Sequence, residues 1–242
     1  MNKVLIITIS LFAGANPVFS GTTADLFNAV TQGDTAQIEQ ILLKSPKLLS
    51  ATTTCGWTLL HEAALCNQPI TARMLINKRI DVDLVDDNCF SALDIAKLYA
   101  DQPNRADINS LFLILAARNK DLTGVSTFLR HDARVSGETG ILHGTTALYE
   151  ASCIGAFNNS AATNKEDKTY ELGLALPIIS LLVDKGADPY SVYVGTGQSP
   201  YDHAVSLCEK GYPQMLDLFT KHKIYTIKQD IKAIGDRYPA LV

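Results

Sequence analysis

Residues 56–88, GWTLLHEAALCNQPITARMLINKRIDVDLVDDN, contain the pattern of two short helices followed by a polar loop. Thr58 has a hydroxyl that can cap the first helix, whose first amides lack partners. Pro69 suits the first turn of the second helix, where no amide proton is needed. The apolar residues of this second helix recur at spacings of three and four, which places them on one face: Ala72, Leu75 and Ile76. The segment therefore predicts a helix–turn–helix unit that ends in an acidic loop.

The pattern restarts 33 residues after Gly56, with CFSALDIA at residues 89–96. Related openings occur at residues 144–151, GTTALYEA, and at residues 197–204, GQSPYDHA. A period of 33 with a Thr-Pro-Leu-His-x-Ala-like opening resembles the ankyrin repeat. The resemblance implies an all-α solenoid of stacked helix-turn-helix units, about six in number, joined by finger-like hairpin loops that we call fingers.

We expect the repeat domain to cover residues 21–242, with three irregular features. A junction is expected near residues 100–120, because residues 108–115 fit two roles: the outer helix of the third repeat, or the inner helix of a fourth. A polar insertion is expected at residues 156–171, and the outer helix that follows it is expected to run from Pro177 to Lys185. A C-terminal capping helix is expected at residues 225–234.

The first twenty residues have the pattern of a signal peptide. Lys3 precedes an apolar run at residues 4–13, and Val18 and Ser20 are acceptable residues before a cleavage site. A run of about ten apolar residues is too short to span a bilayer, so we expect no membrane span after cleavage. An uncleaved anchor is the alternative. The pattern predicts a periplasmic or secreted protein.

The composition is that of a globular protein and does not favour a nucleic-acid partner. The chain has 242 residues, 47% of them hydrophobic and 19% charged, with a formal net charge of -4. This balance is ordinary for a globular protein, and nothing in it indicates a nucleic-acid partner.

The five cysteines are an odd number, so at least one is unpaired. Cys55 and Cys89 occupy neighbouring positions in successive fingers. Stacked helical layers lie roughly 8–10 Å apart, beyond the limit of about 7 Å between the Cα atoms of a disulfide. We therefore expect mostly free, packed thiols.

No spacing of residues predicts an enzyme, a cofactor or a metal site. His61 and Glu62 match half of a zinc-protease signature, but Leu65 stands where the second histidine should be. In an ankyrin-like repeat this histidine ties the helix to the finger. The acidic run at residues 81–87 lacks the glycine of a calcium loop, and Val85 stands at a ligand position.

An enzyme or metal-binding effector remains the alternative from another class. It would use His131, His143 and the inserted loop.

The resemblance implies that the residue after each finger glycine points into a concave groove that binds another protein. The predicted protein-binding residues are those groove positions with their finger neighbours: Trp57, Phe90, Asp86, Asp87, Asn88, His143, Thr145, Tyr190, Tyr193 and Gln198. The competing interpretation is that Trp57 and Phe90 fold back onto their own fingers as packing. A passive scaffold and an inhibitor or immunity protein that neutralises a secreted toxin or hydrolase both fit the pattern.

Overall fold

The computed structural model describes residues 21–135, 145–154 and 165–223. The chain divides into two compact units, Met1–Tyr99 and Ala100–Val242. Within the described ranges the secondary structure is helical, and its β-structure is limited to isolated bridges. The predicted all-α fold is therefore confirmed.

The first unit contains helices in the order α1 (Gly21–Gln32), α2 (Thr35–Lys44), α3 (Leu59–Leu65), α4 (Pro69–Asn77) and α5 (Ala92–Leu98), with a 3-10 turn at Pro46–Ser50. The inner helix α3 packs against both α1 and α5. The outer helices α2 and α4 pack against each other and against their own inner partners. Leu26, Leu59 and Leu75 are completely buried between these helices, so apolar burial holds the stack together.

The predicted starts of α3, α4 and α5 are confirmed. The Oγ1 atom of Thr58 accepts a hydrogen bond from the amide of His61 at 3.3 Å, and Ser91 Oγ accepts one from the amide of Asp94 at 3.2 Å. Pro69 is the first residue of α4. These are local interactions that span three residues, which is why the sequence pattern is sufficient to predict them.

The described residues include three fingers that connect repeats: the first at residues 52–58, the second at residues 81–91 and the third at residues 188–198. Their turns end on residues with a left-handed backbone, with φ of 75° at Gly56, 63° at Cys89 and 70° at Gly197. The amide of Asp87 donates to the carbonyl of Cys55 at 3.0 Å. The backbones of the first two fingers are therefore closer together than the spacing of roughly 8–10 Å between stacked helices. The thiols of Cys55 and Cys89 are nevertheless free, as predicted.

The second unit contains α6 (Ala106–Arg118), α7 (Leu122–Arg130), α8 (Ala147–Ser152), α9 (Lys165–Asp184), α10 (Pro200–Glu209) and the helical residues 214–223. The inner helix α8 packs against α6 and α10. The outer helix α9 packs against α7 and α8. Within this unit the helix pairs stack as they do in an ankyrin-repeat solenoid.

At the junction, α6 takes the second of its two predicted roles. It packs against α7 and α8 as the inner helix of a fourth repeat, and its residues 108–117 are all buried. Residues 99–105 form turns without a helix, so the third repeat has α5 alone. The Nδ2 atom of Asn109 donates to the carbonyls of Ala100 and His131, both at 2.9 Å. These bonds fix the turn that replaces the missing outer helix.

Helix α9 begins earlier than the sequence predicted. Its first residue is Lys165, whereas Pro177 was expected to start the helix and residues 156–171 to form a loop. Proline lacks the amide that would bond to the carbonyl of Gly173, yet the helix continues through it. Leu172 and Ala175 are buried before the proline, so packing supports these earlier turns. Residues 156–164, the predicted signal peptide and the predicted capping helix lie outside the described residues.

Candidate protein-binding site

His61 joins helix α3 to the second finger. Its Nε2 lies 2.8 Å from the carbonyl oxygen of Phe90, and its Nδ1 lies 2.7 Å from Thr58 Oγ1. Because a carbonyl oxygen can only accept, Nε2 carries the proton and Nδ1 accepts. Burial lowers the pKa of the imidazole and favours this neutral form. The histidine therefore has the structural role that its position in the repeat predicted.

Trp57 is fixed against the same helix. Its Nε1 donates to Glu62 Oε2 at 3.1 Å, and its ring lies 5.0 Å from the His61 ring. The side chain is half-buried. These contacts favour the packing interpretation for Trp57, because an indole that already donates its proton inside the fold has only part of one face to offer a partner.

Glu62 is a residue that the sequence argument missed. It is buried, and its Oε1 accepts from Thr31 Oγ1 at 2.7 Å and from Cys66 Sγ at 3.3 Å. A signal was present, because the pair Trp57 and Glu62 recurs at the same spacing as Thr145 and Glu150. In both pairs the first residue donates to the glutamate five positions later.

Two predicted contact residues are buried, and we correct both. Asp86 is only 8% exposed, and its Oδ1 accepts from the amides of Asn88 and Phe90, each at 2.9 Å. Thr145 is 1% exposed, and its Oγ1 donates to Glu150 Oε1 at 3.0 Å. Each side chain satisfies a buried polar group of its own repeat, so neither can contact a partner directly.

The second finger does present exposed side chains. Phe90 is 41% exposed, and Asp87 and Asn88 are exposed beside it. Leu84 and Val85 are also exposed on this finger, although neither is among the contact residues predicted from the sequence. The finger therefore carries an apolar surface between its carboxylates.

The third finger is held by aromatic contacts. The Tyr193 ring lies 4.7 Å from the Tyr149 ring, and a Cβ at Gly195 would lie 2.6 Å from the Tyr193 ring. Tyr193 is therefore folded over its own finger, which is a packing role. Tyr190 is exposed, with its ring 5.0 Å from that of Tyr201.

Three further exposed side chains of the third finger are one predicted residue, Gln198, and two apolar residues that were not predicted, Val192 and Val194. Gln198 is exposed, and its carbonyl accepts from the amide of Tyr193 at 2.8 Å. Val192 and Val194 are exposed, the latter to 84%. His143, the remaining predicted contact, lies outside the described residues.

The second unit contains a buried polar cluster around α8. Lys120 Nζ donates to three carbonyls at the end of this helix, those of Glu150 at 3.0 Å, Ala151 at 2.8 Å and Cys153 at 3.2 Å. These carbonyls have no amide partner within the helix, so the ammonium acts as its C-terminal cap. Burial lowers the pKa of Lys120 and raises that of Glu150.

His203 and two potential nucleophiles adjoin this cap. Ser152 Oγ donates to the carbonyl of Tyr149 at 2.7 Å and lies 2.9 Å from His203 Nδ1. Because the serine proton is used on the carbonyl, His203 donates to the serine and cannot act as its base. Burial raises the pKa of the Cys153 thiol to about 12, so this thiol is protonated at neutral pH and is a poor nucleophile. The cluster stabilises α8.

Neither a metal centre nor a membrane span was found in the part of the chain that the structure describes. There, no three His, Cys, Asp or Glu side chains form a group that could hold a metal ion. None of the described helices combines the length and hydropathy that crossing a bilayer requires.

Comparison with known proteins identifies the repeat. Residues 55–87 match the family model for the ankyrin repeat. The chain is 38% identical over 68 residues to the NAD-capped RNA hydrolase NUDT12 of Homo sapiens, Pongo abelii and Macaca fascicularis. This match covers 28% of the chain but spans only 15% of the length of those relatives.

A solved structure, that of the ankyrin repeat protein EF0377, aligns over 82% of this chain and 97% of its own, at 23% identity and a TM-score of 0.38. The family match at residues 55–87, together with the helix pairs and fingers described above, gives the described residues an all-α ankyrin-repeat fold.

Proposed function

We propose that this chain is an exported protein-protein interaction module that binds a protein partner through its fingers. The observation that carries the proposal is the set of exposed apolar side chains on the fingers: Leu84, Val85 and Phe90 on the second, and Tyr190, Val192 and Val194 on the third. Exposed aromatic and apolar groups on loops that a rigid scaffold positions are typical of binding sites. The step from fold to function is an analogy with other repeat proteins.

The backbone of Phe90 is held on both sides, which supports a binding role for its ring. Its amide donates to Asp86 and its carbonyl accepts from His61. The ring itself has no such restraint and is exposed. A side chain presented from a fixed backbone loses less conformational entropy when it is buried by a partner. Asp86 thus contributes to binding by positioning Phe90.

Partner capture from the native compartment tests the proposal. We expect Phe90→Ala to weaken recovery of the partner by at least about tenfold, since a central aromatic anchor commonly contributes about 2 kcal/mol or more. Leu43→Ala is the matched control, because Leu43 is an apolar residue that is 80% exposed on α2, away from the fingers. If Phe90→Ala and Tyr190→Ala both retain full recovery, the fingers are not the binding surface.

Export rests on the residues of the leader pattern, Lys3 followed by the apolar run and by Val18 and Ser20. We propose that the protein is cleaved after Ser20 and acts in the periplasm or outside the cell. The mass of the protein recovered from the exported fraction should correspond to a chain that begins at Gly21. An intact N-terminus on protein found with the cytosolic fraction would contradict this part of the proposal.

A further inference from the structure

A cleft at the base of the second finger is not among the surfaces that the sequence predicted. It encloses about 290 Å³, and its walls are mainly apolar: Pro46, Leu49, Ile80 and Leu84. Its polar lining residues are Ser50, Thr58, Arg79 and Asp81. All of these residues belong to the first unit, so the cleft is formed within one compact body.

The size of the cleft suits one apolar side chain of a partner. Pockets that bury a whole drug-sized ligand start at about 300 Å³, and this cleft, at about 290 Å³, is just below that range. Of its lining residues, Ile80 is buried, whereas Leu84 is 39% exposed. Val85, the next residue, is exposed, and Phe90 is exposed on the other side of the same hairpin. The cleft thus continues into the apolar surface of the finger.

The charges along the finger itself have a single sign, and Arg79 is the cation that lines the cleft at its base. From Ile80 to Ala96 the chain has five aspartates and neither lysine nor arginine. Asp86 holds the turn and is buried, and Asp94 pairs with Lys97 at 2.8 Å and with Ser91. The other three carboxylates are exposed along the finger: Asp81, Asp83 and Asp87.

The neighbouring cations, Lys78 and Arg79, precede the aspartates in the chain and do not lie along the finger. Lys78 lies 4.0 Å from Glu39 on α2, which is an exposed pair, and Arg79 is exposed before the run of aspartates begins. A partner segment that runs along the finger therefore meets carboxylates from Asp81 onward. Complementary charge steers association and excludes acidic competitors.

We propose that the second finger and its cleft bind an extended basic segment of the protein partner, with one apolar side chain of that segment in the cleft. Lysine or arginine side chains of the segment lie beside Asp81, Asp83 and Asp87, and its other apolar groups contact Val85 and Phe90. This inference rests on the proposed protein-binding function and adds the chemistry of the partner.

Fluorescence anisotropy with three labelled peptides of about twelve residues tests the inference on the purified protein. The first peptide alternates lysine and leucine with serine spacers, the second has glutamate in place of lysine, and the third has serine in place of leucine. We expect the first to bind about tenfold more tightly than either of the others. Raising NaCl from about 50 mM to about 500 mM should weaken its binding several-fold, since exposed charges are screened.

Variants of the protein locate the binding. Leu84→Ser should weaken binding of the first peptide about tenfold, and so should the triple change of Asp81, Asp83 and Asp87 to asparagine. Asparagine keeps the acceptor that Asp81 offers to the amide of Asp83 at 3.1 Å, so the finger should stay folded, and circular dichroism would verify this. Leu43→Ser and Asp25→Asn are the matched controls, because both residues are exposed on other helices of the same unit.

Equal binding of the three peptides, including no binding of any, overturns the inference, and so does unchanged binding to Leu84→Ser. Such a result leaves the proposed function separately testable. If partner capture still depends on Phe90 but is insensitive to salt and to Leu84→Ser, then the protein is a binding module whose partner segment is not basic. If capture does not depend on the fingers at all, the proposed function fails first.

Discussion

Replacing Trp57 by phenylalanine isolates the hydrogen bond that holds the tryptophan to its repeat. The ring contact with His61, at 5.0 Å between centroids, can persist in Trp57→Phe, but the indole donor is lost. Glu62 Oε2 then loses the partner it has at 3.1 Å in a residue that is almost fully buried. An unsatisfied buried acceptor costs about 1–3 kcal/mol. Because Oε1 keeps its bonds to Thr31 and Cys66, we expect a loss of about 1–2 kcal/mol.

Urea unfolding followed by circular dichroism measures this loss as a lower midpoint with an unchanged slope. Fluorescence is unsuitable, because Trp57 is the sole tryptophan of the chain. Phe90→Ala is the comparison, because removing this exposed ring should lower the free energy of unfolding by less than about 1 kcal/mol. If the free energy of unfolding of Trp57→Phe is within about 0.5 kcal/mol of that of the unchanged protein, the hydrogen bond to Glu62 does not stabilise the fold. Trp57 is then again a candidate contact residue.

Three further changes have signs that follow from the structure. Cys89→Gly should raise the free energy of unfolding by about 0.5–1 kcal/mol, because a left-handed backbone strains an L-residue more than glycine's extra entropy costs. Lys120→Met should lower it by about 2–4 kcal/mol, since three buried carbonyls lose their donor. Acidification from about pH 7 to about pH 5 should lower the melting temperature, because burial lowers the pKa values of His61 and His203 below 6.5. Over this range the unfolded chain binds protons that the folded chain does not, so stability falls as the pH falls through 6.5 toward the folded pKa values.

Each of these predictions has a matched control. Cys55 is also exposed in a finger turn but has no positive φ, so Cys55→Gly should not stabilise; equal stabilisation by both changes would contradict the backbone argument. Lys210→Met should have little effect, because the Lys210 ammonium bonds to an exposed serine hydroxyl. If a variant that replaces both histidines by asparagine loses as much stability on acidification as the unchanged protein does, other groups cause the pH dependence.

Much of the fold follows from local patterns. The capping hydroxyl of Thr58, the first-turn proline Pro69 and the left-handed turn at Gly56 are interactions within a few residues of the chain. Their spacing identifies the repeat and its helix ends, since each residue satisfies its neighbours. The same patterns failed at Pro177, where the packing of Leu172 and Ala175 extended a helix through a residue that usually begins one.

The sequence by itself determined the helix–turn–helix repeat, its caps and the positions of the fingers. Only the tertiary structure decided which finger side chains are exposed and which are used inside the fold. Trp57 donates a hydrogen bond to Glu62, which also accepts one from Thr31 on another helix. The carboxylate of Asp86 accepts hydrogen bonds from the amides of its own turn. The physical reason is range: capping and turn bonds close within a few residues, whereas the burial of a side chain depends on groups that the chain brings together from distant positions.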